Sequence, residues 1–172
     1  MEIELRPWKF SDAADLARLA NNRKIWDNAR DQFPHPYTLK KADEWIAAVR
    51  GHKPTCNYAI IADGELAGGV GIVLQEDVAR CSAEIGYWVG EPFWNRNVAT
   101  LAVMKIIPIA WKENPILTRI YGQIFDFNKA SMRVLEKCGF HLESVRKRSC
   151  IKNGVVCDDH IFVLLRDRPL ST

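Results

Sequence analysis

The 172-residue sequence predicts a mixed α/β protein built on one sheet of about seven strands with four helices, in the order βααβββαβαββ. Three observations lead there. Asp63-Gly64 and Asn153-Gly154 each stand between apolar, β-prone runs, the pattern of tight hairpins. Apolar residues recur at helical spacing over Ala14–Ala20, at Trp45, Ile46 and Val49, and over Ala99–Lys112. Gly139 follows a further helical run, Asn128–Cys138, at the place where a left-handed cap is expected.

Taken in order, Ile3-Glu4-Leu5-Arg6 alternates as a short strand, and Ser11 is the expected N-cap of the first helix. Trp26 to Thr38 contains Phe33-Pro34-His35-Pro36-Tyr37, whose prolines interrupt any helix and predict an aromatic-rich loop. Thr38 caps the second helix. Asn57–Ala62 and Gly68–Leu74 form the first hairpin, and Glu84–Val89 is the next strand. Pro108 predicts a kink or an early stop in the third helix. Arg119–Phe125 is a strand, and Leu142–Lys152 pairs with Val155–Leu164 about Asn153-Gly154. A two-residue turn there sets Cys150 opposite Cys157 in a hydrogen-bonded pair, within disulfide range, although a reducing cytosol favours two thiols. No repeat, low-complexity segment or linker divides the chain, so residues 1–172 read as one domain.

Composition narrows the function classes. The 24 basic and 21 acidic residues are interspersed and leave a net charge of +3. That is not the clustered stripe of a nucleic-acid binder. The densest basic run, Arg146-Lys147-Arg148, reads as a solvated strand face. The N-terminus has no apolar leader, and no run approaches about 18 apolar residues, so a soluble, cytoplasmic protein with no membrane partner is expected. Five cysteines without a CxxC pair argue against a metal site.

The segment Tyr87-Trp88-Val89-Gly90-Glu91-Pro92-Phe93-Trp94-Asn95-Arg96-Asn97-Val98-Ala99-Thr100 runs from a strand through a tight loop into a helix. Such a junction points free backbone N–H groups and a helix dipole outward, which suits the phosphate oxygens of a pyrophosphate-bearing cofactor. Downstream, Asn128 and Ser131 open a helix as a cap and its first-turn partner.

These two segments resemble motifs A and B of the GCN5-related N-acetyltransferases. Gly86-Tyr87-Trp88 and Pro92-Phe93-Trp94 match the RimJ/RimL-type form, and Asn128, Ser131, Glu136, Lys137, Gly139 and Phe140 match Asn-x-x-Ser-x-x-x-x-Glu-Lys-x-Gly-Phe. The resemblance covers essentially the whole chain. It implies the acyl-CoA N-acyltransferase fold and acetyl-CoA as cosubstrate, without a metal. The family's loop Arg/Gln-x-x-Gly-x-Gly/Ala falls on Trp94–Ala99, with Asn95 and Asn97 in place of glycines. Asparagine tolerates positive φ but leaves less room for phosphate. A non-catalytic acyl-CoA-binding or regulatory module of the same fold is therefore the alternative.

On this resemblance the coenzyme contacts Trp88, Val89, Trp94, Asn95, Arg96, Asn97, Val98, Ala99, Thr100, Asn128 and Ser131. Val89 N–H polarises the thioester carbonyl from a splayed strand, and Ser131 either protonates the departing thiolate or only caps its helix. Glu84, at the start of that strand, is the candidate general base, with a strand-edge salt bridge as the other reading. Strand alternation puts Glu84, Gly86 and Trp88 on one face and Ile85, Tyr87 and Val89 on the other. His160 reads as a sheet-face histidine, and Glu136 and Lys137 as exposed helix charges. The acceptor amine, a protein N-terminus or a small molecule, is expected at Trp26, Asn28, Arg30, Phe33 and Tyr37, in a loop that reads equally as a hydrophobic lid. Direct transfer in a ternary complex follows, in a monomer or homodimer.

Overall fold

The computed structural model describes residues 1–52 and 56–166. Seven strands form one sheet in the order β1-β2-β3-β4-β5-β7-β6. They are β1 (Ile3–Pro7), β2 (Asn57–Ala62), β3 (Glu65–Leu74), β4 (Ser82–Val89), β5 (Arg119–Phe125), β6 (His141–Lys152) and β7 (Val155–Leu165). The helices are α1 (Ala13–Ala20), α2 (Arg23–Trp26), α3 (Leu39–Val49), α4 (Val98–Glu113) and α5 (Lys129–Lys137). This is the expected mixed α/β architecture, with α2 as an added single turn. Asn22 caps α2 by accepting from Lys24 N–H at 2.9 Å.

Both hairpins form where the turn residues require them. Asp63 and Gly64, and again Asn153 and Gly154, adopt the positive φ of a two-residue turn. The second turn sets Lys152 opposite Val155 and Cys150 opposite Cys157, both cysteines being free thiols. Gly139, at φ 86°, ends α5: its N–H bonds to Glu136 O and that of Phe140 to Leu135 O, each at 3.0 Å. Phe140 then packs into the core.

One expectation fails, and one of two alternatives for another is excluded, for local reasons. Ser11 does not cap α1. Residues Phe10–Asp12 form a 3₁₀ turn first, and it is Asp12 whose carboxylate takes the Lys9 N–H at 2.8 Å and the Arg6 guanidinium at 2.8 Å. Pro108 does not stop α4, which runs on to Glu113. Pro108 is exposed, so the missing intrahelical bond falls on a face that water reaches.

The sheet separates two apolar clusters. One joins Ile85, Val89 and Ile120 to Val98, Val103 and Ile106 of α4 and Leu135 of α5. The other joins Trp8, Ala59 and Ile61 to Leu16 and Leu19 of α1 and Ile46 of α3, with Trp88 against it. The alternation expected for β4 is therefore realised. The basic run on β6 is not simply solvated: Arg146 pairs with the buried Asp159, and Lys147 with Asp158 at 2.8 Å.

Candidate functional site

The site is made by a fork in the sheet. Strands β4 and β5 are parallel neighbours over only Ser82–Glu84 and Arg119–Tyr121, and no ladder joins them beyond Glu84. The β5-facing edge of Ile85–Val89 is thus left open. Gly90 N–H bonds back to Ala67 O on β3 at 2.8 Å. Successive residues of a strand present their N–H and C=O to opposite sides, so Val89 directs its own pair toward the open edge. Its carbonyl is taken there by Trp94 Nε1 at 2.6 Å.

At the mouth of the fork, Asn95 and Asn97 both sit at φ 60°. Each therefore supplies the left-handed backbone for which glycine is the usual residue. Asn97 is the N-cap of α4 but makes no side-chain capping bond. The first N–H groups of α4 consequently keep their outward valence. Its side-chain oxygen instead accepts from Lys137 Nζ at 3.3 Å. Lys137, which the sequence suggests is only an exposed helix charge, thus stands beside the loop that also carries Arg96. Residues 94–97 are exposed, whereas Val98 and Thr100 turn their side chains into the core; backbone alone remains for a ligand at those two positions.

One face of the fork carries a pair of hydroxyls. Ser131 Oγ lies 2.7 Å from the Tyr87 phenol oxygen, and Tyr87 also donates to Ser131 O at 3.0 Å. Asn128 Oδ1 accepts the Ser131 N–H at 3.1 Å, so Ser131 belongs both to the helix cap and to the hydroxyl pair. Burial in apolar surroundings pushes the Tyr87 phenol well above its ordinary value, which keeps it a protonated donor at neutral pH. Tyr87 escaped the sequence analysis. Only its place in Gly86-Tyr87-Trp88, with its ring on the Val89 side, marked it.

The other face is ionic. Glu84 forms an ion pair with Arg30, whose guanidinium also donates to Gln123 Oε1 at 3.0 Å. Desolvation raises the Glu84 carboxyl above the ordinary carboxylate range, and Arg30 opposes that rise. Cross-strand partners share a face: Glu84 pairs with Tyr121, Phe125 with Asp159, and Asp159 with Arg146. A polar array thus extends from the fork across β5, β7 and β6.

The loop between α2 and α3 supplies Arg30 and is tied to the β6–β7 hairpin. Lys152, with 2% of its side chain exposed, bonds to Asp31 at 2.8 Å and lies 3.5 Å from the Trp26 ring centroid. Asn153 Nδ2 bonds to Asp27 at 2.9 Å. The other expected acceptor residues divide. Asn28 donates to Lys24 O at 2.9 Å and shapes the turn. Phe33 packs between Tyr37 and Trp88, and Tyr37 is buried, which pushes its phenol to about 12. His160, on the face opposite Glu84, has a buried Nδ1 without a partner among the described residues. No cluster of metal-ligating side chains occurs among the described residues, and none of their helices is long and apolar enough to cross a membrane.

Comparison with known proteins agrees with this geometry. Residues 2–141 match the acetyltransferase (GNAT) domain family. The chain is 27% identical to the probable N-acetyltransferase YjcK of Bacillus subtilis, over 95% of this chain and 93% of that one. It is 23% identical to the L-amino acid N-acetyltransferase AaaT of Escherichia coli, covering 96% and 99% respectively. Among solved structures, the microcin C7 self-immunity acetyltransferase MccE, in complex with acetyl-CoA and AMP, superposes with a TM-score of 0.82 at 25% identity, covering 96% and 93%. RimL, the ribosomal L7/L12 α-N-protein acetyltransferase in complex with coenzyme A, gives 0.83 at 21%, covering 96% and 94%. A fork in the strands, an uncapped helix at its mouth and a family match over most of the chain place this protein in the GNAT acetyltransferase family.

Proposed function

We propose that this protein, as one domain over residues 1–172, transfers an acetyl group from acetyl-CoA directly to a primary amine in a ternary complex. The reading rests above all on the fork at Glu84, which leaves one strand edge unpaired with an ion-paired carboxylate on one face and two hydroxyls on the other.

The coenzyme's pyrophosphate is assigned to the first turn of α4, with Arg96 and Lys137 supplying positive charge and Asn95 and Asn97 the loop shape. Pantetheine then runs along the open edge of β4 and meets Trp88, Val89 and the Asn128 side-chain amide. Val89 N–H faces the thioester oxygen and stabilises the negative charge that grows on it.

Glu84 takes one proton from the acceptor ammonium, producing the neutral amine that attacks the carbonyl carbon. As the carbon–sulfur bond breaks, the thiolate takes a proton from Ser131, whose oxygen the Tyr87 phenol supports by hydrogen bonding. The nitrogen sheds its second proton to solvent and Glu84 then releases the first; one of the two returns to Ser131 through solvent, so both residues are restored and one proton is released for each amide formed. The acceptor approaches on the face of Trp26, Arg30 and Phe33, and Tyr37 supports that wall from within.

The Gly86-Tyr87-Trp88 and Pro92-Phe93-Trp94 segments favour the RimJ/RimL-type branch. Titration of the protein with acetyl-CoA by calorimetry, paired with a thiol-release assay over an amine panel, tests the reading. Binding with amine-dependent thiol release is expected. Binding without turnover of any amine would leave an acyl-CoA-binding module.

A further inference from the structure

From the Arg30–Glu84 pair we infer that the acceptor is a zwitterion: an amine with an anionic group close beside it, a free α-amino acid being the simplest case. This rests on the acetyltransferase reading above and specifies its substrate class. The proposed general base is not a bare carboxylate. It is neutralised by the guanidinium of a residue from the acceptor loop, and that guanidinium is itself held by Gln123.

A simple amine that took Glu84 would strand Arg30 in the cleft with only a neutral amide as partner. Arg30 is half exposed, so water takes up part of its stranded charge; what a simple amine fails to restore is the charge-assisted bond that the guanidinium gave up. An acceptor carrying both charges exchanges the pair instead of breaking it. Its ammonium takes Glu84 and its carboxylate takes the fork of Arg30, a geometry that guanidinium meets with two parallel bonds.

Arg30 is also held for such a role. Its loop is fastened on both sides to the β6–β7 hairpin, through Asp27 to Asn153 at 2.9 Å and Asp31 to Lys152 at 2.8 Å. Two further arginines on this face are engaged elsewhere, Arg146 by the buried Asp159 and Arg119 by Glu143 at 2.6 Å. Arg30 is half exposed and bonded to groups that a ligand can displace, which makes it the guanidinium available to an incoming anion.

The experiment compares α-amino acids with their carboxamides, which keep the amine and side chain and lose the charge. The amide's amine is less basic, so intrinsic reactivity works against the expected preference. The wild-type protein should acetylate the acids at least about tenfold better in kcat/KM, and coenzyme-loaded protein should bind them more tightly by calorimetry, as expected for a paired charge left unmatched by the analogue. Arg30→Gln should collapse the acid-to-amide ratio toward one. Its effect on Glu84 acts on both substrates alike at a given pH and cancels in that ratio.

Equal or better use of the amides by wild-type protein, an unchanged ratio in Arg30→Gln, or binding of neither class would overturn the inference. Turnover of amides and simple amines with no charge preference would leave the acetyltransferase reading standing, whereas failure to bind acetyl-CoA would remove both.

Discussion

Ser131 Oγ and the Tyr87 phenol oxygen, 2.7 Å apart, join the first turn of α5 to the unpaired half of β4. The contact spans 44 positions of sequence and puts a donor hydroxyl, backed by a second, on the face where the coenzyme sulfur is proposed to lie. Tyr87→Phe should therefore lower kcat by at least about tenfold with little change in acetyl-CoA affinity, on the lower side of what acid catalysis contributes. Ser131→Ala should do the same. Steady-state thiol release with calorimetric coenzyme titration reads both, and unchanged kcat in each variant would return Ser131 to its capping role and Tyr87 to packing against it.

The pH dependence follows from the Glu84–Arg30 pair. Glu84 acts as base only when ionised, and desolvation raises its carboxyl while Arg30 restrains the rise. Activity should thus climb with pH through an acidic limb set by Glu84. Arg30→Gln removes the restraint, so the limb should move to higher pH. Glu84→Gln should abolish the limb and cost about 100-fold in kcat. A pH–rate profile of the three proteins decides it.

Asn97 combines a left-handed backbone with a contact to Lys137. Asn97→Gly keeps that backbone without strain, so coenzyme Kd should stay within about threefold of wild type. Asn97→Val should destabilise the fold by about 1–2 kcal/mol, because a β-branched side chain is poorly accommodated at positive φ. Chemical denaturation measures the second effect, and a large loss of affinity in the glycine variant would show that the amide itself holds the ligand.

Gly68 faces the proposed oxyanion donor across the β3–β4 ladder. A Cβ there would come within 2.1 Å of Trp88 O and 2.9 Å of Val89 Cα, both backbone atoms unable to give way locally. Gly68→Ala should cost at least about 2 kcal/mol through overpacking. It should also lower kcat by shifting Val89, so the variant should melt earlier and turn over more slowly.

Lys152 is buried against Trp26 while its partner Asp31 is 72% exposed. Lys152→Met keeps the apolar stem and leaves Asp31 in water, so stability should change by less than about 1 kcal/mol. The loop carrying Arg30 is released, and KM for the acceptor should rise severalfold while acetyl-CoA affinity holds. Equal losses for both substrates would show a general weakening of the fold.

Much of this architecture is written in short-range chemistry. Asn153-Gly154 dictates its hairpin and hence the Cys150–Cys157 register, because a two-residue turn with positive φ leaves no other pairing. Gly139 and Thr38 mark helix ends by local hydrogen bonding. Alternation along β4 assigned Glu84 and Tyr87 to opposite faces. Most residues of the candidate site were legible one at a time, through motif and spacing, Tyr87 and Lys137 being the exceptions.

What they do to each other was not. Arg30 was read as an acceptor residue and Glu84 as a base or a strand-edge salt bridge without a named partner, because their ion pair depends on a loop packing over a sheet 54 positions away. Lys137 against Asn97 and Lys152 beneath Trp26 arise in the same way, and the fork itself is an absence of pairing that no local signal encodes. Local propensity and turn chemistry act within a few residues, so the sequence by itself determined the elements and the faces of the strands. Ion pairs, burial and the gap between β4 and β5 belong to contacts between distant segments, and only the tertiary structure decided them.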